Sequence, residues 1–514
     1  MKKIVGMGAA VALAASMFAA EPVANPQVLE FKGNASVEWG VDLDSKKTGF
    51  KNSTDAQLKF KLFDGGSKST EGSGIWAELK IKSDDDGNPA WKAENGTPTI
   101  KEALIDTAKI HIYNFYVGIQ KGDTETGEFK PQAAIVSDKA WLVNVGPAGF
   151  TQGLVFGYDD SNIDAKVDFR SFEDTSEKTP TQYTNAYAIA AEATMKDANE
   201  WVEGLEVKGG VSYNFSKNYY EKAANNLAVK KFALKHGINS VEGSILGYSG
   251  SVAYKVALDD KYYIKPMAGI VGDVLSGELG TVDYLRNGNE FVASVLFGWG
   301  AQVDANAGVP FLDGDDAKKV TPGVSVVFTM PLPIKETMDS KDKSTYVRDI
   351  AKIVPSIYSG DIFDGLKFGA YSEIILMRDE VEVGSGYIKD ACADKDRATA
   401  IAIAAGASYD VKAGDVTITT KAGARYANKA YVENSFINKD KDGKEVGLFK
   451  DLGYAKDDEG YLNLKIGADI NGLLDNTTFF VNYTSANLLN ETDYADDYYA
   501  VKAGTLNVGA KIHF

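Results

Sequence analysis

"VLEFKGNASVEWGVDL", the stretch from Val28 to Leu43, alternates between apolar and polar positions along its whole length. Every odd position from Leu29 onwards is apolar or glycine, and nearly all positions between them are polar or charged. Successive side chains of a β-strand point to opposite faces, so the pattern predicts a strand with one apolar and one polar face. The pattern is also more than twice the length of an ordinary strand, which has about 5–6 residues.

This length suits a strand that crosses a lipid bilayer, which needs about 9–11 residues tilted near 45°. Such a strand must pair with neighbours on both sides, because lipid offers no hydrogen bonds to bare backbone groups. A closed barrel meets that requirement, with apolar residues facing lipid and polar residues facing the lumen. A strand of a large soluble β-sandwich also alternates, so this stretch alone leaves both folds open.

Composition narrows the class of protein. The chain has 514 residues, of which 25% are charged and 44% hydrophobic, a balance that excludes a helical membrane protein. Its long apolar run, Ile4–Ala20, follows two lysines and precedes Glu21, so residues 1–20 are interpreted as a secretory signal peptide. The net charge of −17 argues against nucleic-acid binding. A single cysteine, Cys392, allows no internal disulfide.

The opening pattern recurs about twenty times, for example in Ala56–Phe63, Gly74–Lys82 and Asn162–Arg170. The segment Thr107–Gln120 is predicted to form two strands around a tight turn near Asn114. We therefore predict an all-β protein, a transmembrane antiparallel β-barrel of about 16–20 strands with long extracellular loops. The barrel would span residues 21–514, with a possible split into an amino-terminal region, 21–215, and a carboxyl-terminal barrel region, 216–514.

The connections support a barrel, because they alternate between long and short near the carboxyl terminus. Outer-membrane barrels have short turns on one side and long loops on the other. Two middle segments, Lys217–Val241 and Pro331–Gly365, interrupt this alternation. Within the second, apolar residues at helical spacing predict a helix over Tyr346–Tyr358, ended or kinked by Pro355.

The chain ends in "TLNVGAKIHF", which alternates and stops on Phe514. A final strand ending on Phe resembles the terminal strand of Gram-negative-type outer-membrane barrels. That resemblance implies that Phe514 is an assembly signal recognised by the barrel-assembly machinery.

Longer stretches resemble the treponemal major outer sheath protein family. The resemblance lies in "LEFKGNASVEWGVDLDSKKTGFKNSTDAQLKFKL", "GIWAELKIK", "GPAGFTQGLVFGYD" and the terminal strand, and it is strongest over residues 28–170. It implies an abundant, surface-exposed outer-membrane porin and surface antigen, an oligomer expected to be a homotrimer, that also binds host extracellular-matrix proteins. Some members are described with a periplasmic amino-terminal domain, an arrangement that the alternation from Leu29 to Leu43 argues against.

Signatures of catalysis are missing from the sequence. The three histidines, His111, His236 and His513, have no metal-ligand spacing, and there is no nucleophile elbow, phosphate loop or dinucleotide fingerprint. We therefore expect no enzymatic activity and no cofactor, although a Ser/His hydrolase of the outer membrane stays open as an alternative.

One loop is a weak candidate for a metal site. In "NKDKDGKEV", Asn438, Asp440 and Asp442 match the first three ligand positions of a calcium loop, but Phe449 stands where a bidentate Glu is required. A solvated acidic loop is the competing interpretation, and it also covers the acidic turn "SDDDGN" at residues 83–88.

The polar faces of the strands provide the candidate functional residues. If the apolar face meets lipid, charges of both signs line the lumen and set ion selectivity. These residues are Glu30, Lys32, Glu38, Lys166, Asp168, Arg170, Glu206, Lys208, Lys367, Glu373, Lys421, Arg425 and Lys511. The alternative, paired charges in a plugged barrel, is less favoured because a barrel of about 16–20 strands is wide enough for an aqueous channel.

We therefore expect a porin of the outer membrane, embedded in its lipid, that passes ions and small hydrophilic solutes by passive diffusion. The alternative function is an adhesin whose barrel is only a scaffold. Its binding surface would be the long connections Ser83–Asp106, Lys121–Lys139 and Ala427–Gly460.

Overall fold

The computed structural model describes residues 29–43, 46–63, 75–83, 103–120, 152–173, 185–216, 241–279, 282–300, 303–304, 309–310, 319–332, 334–338, 341–345, 349–377, 399–432, 460–489 and 503–513. Several predictions lie outside the described residues: the signal peptide at 1–20, the calcium-loop candidate Asn438, Asp440 and Asp442, and the assembly signal Phe514. The side chains of Glu30 and Arg170 are outside them too.

The described chain is almost entirely β-strand. The strands are β1 (Leu29–Asp42), β2 (Thr48–Phe63), β3 (Ile75–Ser83), β4 (Ala103–Ile112), β5 (Phe115–Gln120), β6 (Gln152–Asp159), β7 (Ile163–Glu173), β8 (Asn185–Met195), β9 (Leu205–Ser216), β10 (Val241–Tyr254), β11 (Val256–Ala257), β12 (Tyr262–Leu279), β13 (Val282–Trp299), β14 (Val303–Asp304), β15 (Lys319–Val320), β16 (Gly323–Pro331), β17 (Ile334–Met338), β18 (Lys341–Thr345), β19 (Asp349–Tyr358), β20 (Leu366–Met377), β21 (Thr399–Ala413), β22 (Val416–Asn428), β23 (Gly460–Leu474), β24 (Thr477–Thr484) and β25 (Thr505–His513). A 3-10 helix covers Gly360–Ile362, and one helical turn covers residues 429–432.

Among the described residues, twenty of these strands form one closed antiparallel ring. Each strand of the ring pairs with the next in chain order, and β1 closes it by pairing with β25, which sets Val37 opposite Ala510. The short strands β11, β14, β15, β17 and β18 lie outside this count, as extensions or a separate small hairpin. The predicted barrel and its strand number are confirmed.

A ring of this size is wide. With a strand spacing of about 4.8 Å and a tilt of about 40°, its backbone radius is about 20 Å. Porins with roughly 16–18 strands already leave an aqueous channel, whereas transporters with about 22 strands hold a plug in the lumen. What fills the interior therefore decides what the barrel can pass.

The two faces of the ring differ as the alternation predicts. Along β16 the inward side chains of Ser325, Val327 and Thr329 are buried, whereas the outward side chains of Val324 and Val326 are exposed. Exposed large apolar side chains recur on the outer face around the ring, from Val37 and Trp39 in β1 to Ile512 in β25. An outer surface this apolar is suited to lipid and excludes the soluble β-sandwich.

The connections are sorted between two ends of the barrel. At the turn end, strands are joined by short links such as residues 113–114, 160–162, 414–415 and 475–476. At the loop end lie most long connections, including 84–102, 121–151, 217–240, 378–398 and 429–459. Exceptions are the longer connections 64–74 and 300–322 at the turn end, the second of which includes β14 and β15, and the short links 43–47 and 280–281 at the loop end. The predicted sorting therefore holds for most connections but not for all.

The predicted helix over Tyr346–Tyr358 is wrong, because this segment contains strand β19. β19 pairs with both β16 and β20, and its Ile and Val residues favour a strand. Pro355 has no N–H to donate, and the pairing with β20 omits Val354 and Pro355 while that with β16 includes them. With β19 counted as a strand, Pro331–Gly365 no longer interrupts the alternation of connections.

In the described part of the chain, no helix has the length and apolar character that a membrane crossing would require.

Candidate functional site: the inner wall of the barrel

The inner face carries the residues expected to line the lumen. Those whose side chains the structure describes all fall at inward positions of their strands: Lys32, Glu38, Lys166, Asp168, Glu206, Lys208, Lys367, Glu373, Lys421, Arg425 and Lys511. They do not form one cluster. They are spread around the ring, and the residues that surround them differ from one group of strands to the next.

We call the inner face of β7, β8, β9 and β12 the charged wall. On it, Lys166 Nζ lies 2.5 Å from Glu192 Oε1, and these side chains are 29% and 34% exposed. Asp168, two residues along β7 from Lys166, is buried. Ion pairs this exposed contribute little to stability, about 0–1 kcal/mol, but they hold opposite charges in fixed positions beside water. They therefore present a fixed field to a passing ion.

A second group of charges on this wall lies near the turn end. Lys265 Nζ is 3.2 Å from both Glu206 Oε2 and Asp197 Oδ2, and Lys208 Nζ is 3.1 Å from Glu206 Oε1. Glu206 thus joins two lysines from strands β9 and β12 into one network with Asp197 of the turn between β8 and β9. Networks of this kind keep long side chains in defined positions better than isolated pairs do.

The seam between the first and last strands is also polar on its inner side. Asn507 donates a hydrogen bond from its side-chain amide to Glu38 Oε1. His513 Nδ1 lies 2.6 Å from Asn34 Oδ1. Both contacts join β1 to β25 beside the ladder that closes the ring.

The inner face of β19, β20, β21 and β22 differs, and we call it the covered wall. Its inward residues include Tyr371, Ile375, Ala402 and Ala404, all buried in one apolar cluster with Val309. Buried apolar residues on the lumen side mean that other parts of the chain lie over this wall. The segments involved come from both ends of the barrel.

From the loop end, the helical turn after β22 packs onto the covered wall. Ala430, Tyr431 and Val432 belong to the buried cluster, and Asn428 Oδ1 accepts a hydrogen bond from the Tyr431 N–H at 2.9 Å. The Tyr431 hydroxyl donates a hydrogen bond to Glu373 Oε2 at 2.5 Å. Glu373 in turn pairs with Lys352 Nζ at 3.1 Å, and both side chains are under 5% exposed.

From the turn end, the connection 300–322 reaches the same wall. Gly369, Gly406 and Gly423 stand opposite one another on β20, β21 and β22 and form an inward-facing row without side chains. Val309 and Pro310 are buried against this row: a Cβ at Gly406 would lie 2.4 Å from the Pro310 carbonyl oxygen. Glycine is required there because the two backbones approach so closely.

Ionisable groups in the turns outside the membrane are also held by local contacts. In the turn between β6 and β7, the Tyr158 hydroxyl donates to Asp160 at 2.7 Å, and the backbone N–H groups of Ile163 and Asn162 donate to it at 2.6 and 2.8 Å. These hydrogen bonds favour the carboxylate, so the pKa of Asp160 lies below its usual value. The Asp160 carboxylate therefore stays ionised at a lower pH than an ordinary aspartate.

Sequence reasoning missed several residues of this site. Strand parity could have found Glu192, Lys265 and Asp469, because each lies on the same face as other polar residues of its strand. Asp469 pairs with the predicted Lys421, with 2.5 Å between Asp469 Oδ2 and Lys421 Nζ. Lys352 was hidden by the predicted helix. The covering residue Tyr431 had no sequence signal, because its partner Glu373 is 58 positions away. Among the described residues, no group of His, Cys, Asp or Glu is placed to hold a metal ion.

Comparison with known proteins points to one group of relatives. No family model matches the chain. The major surface protein MspTL of Treponema lecithinolyticum is 26% identical over an alignment covering 100% of both chains. The major outer membrane protein MspA of Treponema maltophilum is 41% identical over 35% of each chain.

Solved outer-membrane channels also align, with low TM-scores. The channel DcaP of Acinetobacter baumannii has a TM-score of 0.34 at 9% identity, covering 96% of this chain and 100% of its own. The trimer form of OmpT from Vibrio cholerae has a TM-score of 0.34 at 8% identity, covering 95% of this chain and 100% of its own. The closed ring, the apolar outer face and the treponemal relatives agree: the chain is an outer-membrane β-barrel protein related to the treponemal major surface proteins, and the resemblance drawn from its sequence is confirmed.

Proposed function

We propose that the chain is a porin whose lumen passes ions and small hydrophilic solutes down their gradients. The observation that carries this proposal is the charged wall: partly exposed lysines and carboxylates inside a closed ring of twenty strands. Charges of both signs held beside water lower the barrier for hydrated ions of either sign and set their relative rates. Passive diffusion needs no cofactor and no turnover, so we propose no enzymatic activity.

Planar-bilayer recording of the purified, folded protein tests this function. We expect discrete openings whose conductance rises with salt concentration. Heat-unfolded protein from the same preparation is the control, and it should produce no discrete steps. A folded sample that inserts into the bilayer but never conducts would show that the lumen is sealed.

The sorting of long connections to one end supports a second candidate, an adhesin that binds host extracellular-matrix proteins through those loops. Removal of residues 121–139 tests it, because an adhesin would lose matrix binding while channel conductance persists. A deletion of similar length in 217–240, a long connection at the same end that lies outside the candidate binding surface, is the matched control for a general loss of surface area.

The remaining proposals concern biogenesis and assembly. Removal of residues 1–20 would leave residues 21–514 as one barrel, since β1 and β25 are neighbours in the ring. We also propose that Glu30 and Arg170 line the lumen, because both occupy even positions, like the inward residues of their strands. Phe514 would serve as the signal for the barrel-assembly machinery, and the folded chain would form a homotrimer with its loop end outside the cell. Cross-linking in membranes, followed by gel electrophoresis without heating, distinguishes a trimer from a monomer.

A further inference from the structure

The two walls described above occupy different parts of the ring. Around the ring of twenty, β8 and β21 are separated by eight steps, and the nearest strands of the two walls, β12 and β19, by three. One wall presents partly exposed charges beside a buried patch of Asp168, Ala190 and Ser212, and the other presents a buried cluster of tyrosine, isoleucine and alanine side chains. The interior is therefore asymmetric.

We propose that the covered wall is closed to solutes and that the permeation path runs along the charged wall, where Lys166, Glu192 and Lys208 determine ion selectivity. This inference rests on the proposed channel function and goes beyond it, because it divides the lumen and selects a few of the inward charges. Glu373, although charged and inward-facing, then has a structural role rather than a role in selectivity.

The contacts explain why the cover stays in place. Lys352 and Glu373 form an ion pair away from water, and Tyr431 adds a hydrogen bond that fixes the helical turn to β20. Opening this side would expose the cluster around Ala402 and leave the Tyr431 hydroxyl without Glu373. Lys208, by contrast, is 32% exposed, and it forms an ion pair with Glu206 of its own strand.

The glycine row holds the second part of the cover. Val309 and Pro310 enter from the turn end and reach the middle of β21, where Gly406 leaves room for the Pro310 carbonyl. The two covering segments thus meet the same wall from opposite ends, and both contribute residues to one buried cluster, Val309 from one and Tyr431 from the other. A solute that crosses the barrel must then pass along the part of the inner face that this cover does not reach.

Thiol accessibility tests the division directly. In a Cys392→Ser background, single substitutions Lys208→Cys and Glu192→Cys probe the charged wall, while Ala404→Cys and Ser408→Cys probe the covered wall. Ser408 is 3% exposed, and its replacement by cysteine changes little in size. The probe is a small, cationic, water-soluble methanethiosulfonate, applied to protein folded in lipid vesicles, with labelling followed by mass spectrometry and conductance in planar bilayers.

We expect labelling at positions 208 and 192 within seconds, with a change in single-channel conductance. Labelling at 404 and 408 should be slower by about tenfold or more, because the cover must open first. Equal labelling rates on the two walls would overturn the inference, as would a conductance change caused by modification at 404. If the parent protein does not conduct at all, the channel function fails, while the labelling rates still decide whether the lumen is divided.

Discussion

The ion pair between Lys352 and Glu373 gives the sharpest quantitative prediction. Both side chains are under 5% exposed, and Tyr431 also donates a hydrogen bond to Glu373. Removing one partner of a buried ion pair leaves an uncompensated charge in a low-dielectric site, at a cost of about 3–5 kcal/mol. We therefore expect Lys352→Met to lower the free energy of unfolding by about that amount.

An exposed pair in the same barrel provides the matched control. Lys166 and Glu192 are 29% and 34% exposed, so Lys166→Met should cost only about 0–1 kcal/mol. A double variant, Lys352→Met with Glu373→Met, should cost less than Lys352→Met alone, because it leaves neither charge of this pair buried without the other. Its residual cost should include the loss of the hydrogen bond from the Tyr431 hydroxyl to Glu373, at about 0.5–1.5 kcal/mol.

The assay is equilibrium urea unfolding of the barrel in lipid vesicles, followed by tryptophan fluorescence. The decisive comparison is between Lys352→Met and Lys166→Met, since both remove one lysine from an inward ion pair. If the two variants lose the same stability, the Lys352 site is not dry and the cover over β19 and β20 is not in place. A double variant less stable than the single one would also contradict the reasoning.

Three further predictions concern a close contact between two backbone segments, the lipid-facing surface and the effect of low pH. Gly406→Ala should destabilise the barrel by about 1–3 kcal/mol by displacing Pro310. Gly209→Ala, whose Cβ would lie 3.9 Å from the Ser249 carbonyl oxygen, should be near neutral; urea unfolding measures both. Val211→Arg, midway along β9 on its outer face, should cost about 2–4 kcal/mol in lipid vesicles by the same assay. The pKa of Asp160 is lowered in the folded state, so its carboxylate stabilises the turn at pH values above the ordinary pKa of aspartate. This stabilisation is lost as the pH falls through the lowered pKa. Amide exchange in the turn should accelerate over that pH range, and Asp160→Ala should abolish this pH dependence.

The fold was predictable because one physical rule acts along the whole chain. A strand that separates lipid from water must alternate, and the alternation of Leu29–Leu43 returns in β7, β9 and β25. Parity also assigned Lys166, Lys208 and the other candidate charges to one face of their strands, and the prediction that this face lines an aqueous lumen stays a prediction. β19 escaped this rule because its apolar residues also fit helical spacing, and Pro355 looked like a helix end.

The cover over one wall was not predictable in the same way. A signal for it existed in β21, whose segment "AIAIAAGA" at residues 400–407 is apolar on both faces. A strand buried on both faces is apolar at nearly every position. The sequence does not reveal which residues lie over it, because Val309 and Tyr431 come from distant connections at opposite ends of the barrel.

The central claim is that a closed ring presents apolar residues to lipid and charged residues to an aqueous lumen. Spin labels placed one at a time along β9, at residues 206–211, test it most directly in vesicles. Even positions should collide mainly with a water-soluble paramagnetic reagent, and odd positions mainly with lipid-dissolved oxygen, with a period of two. Accessibility that does not alternate, or odd positions that meet water, would contradict the barrel that every other conclusion depends on.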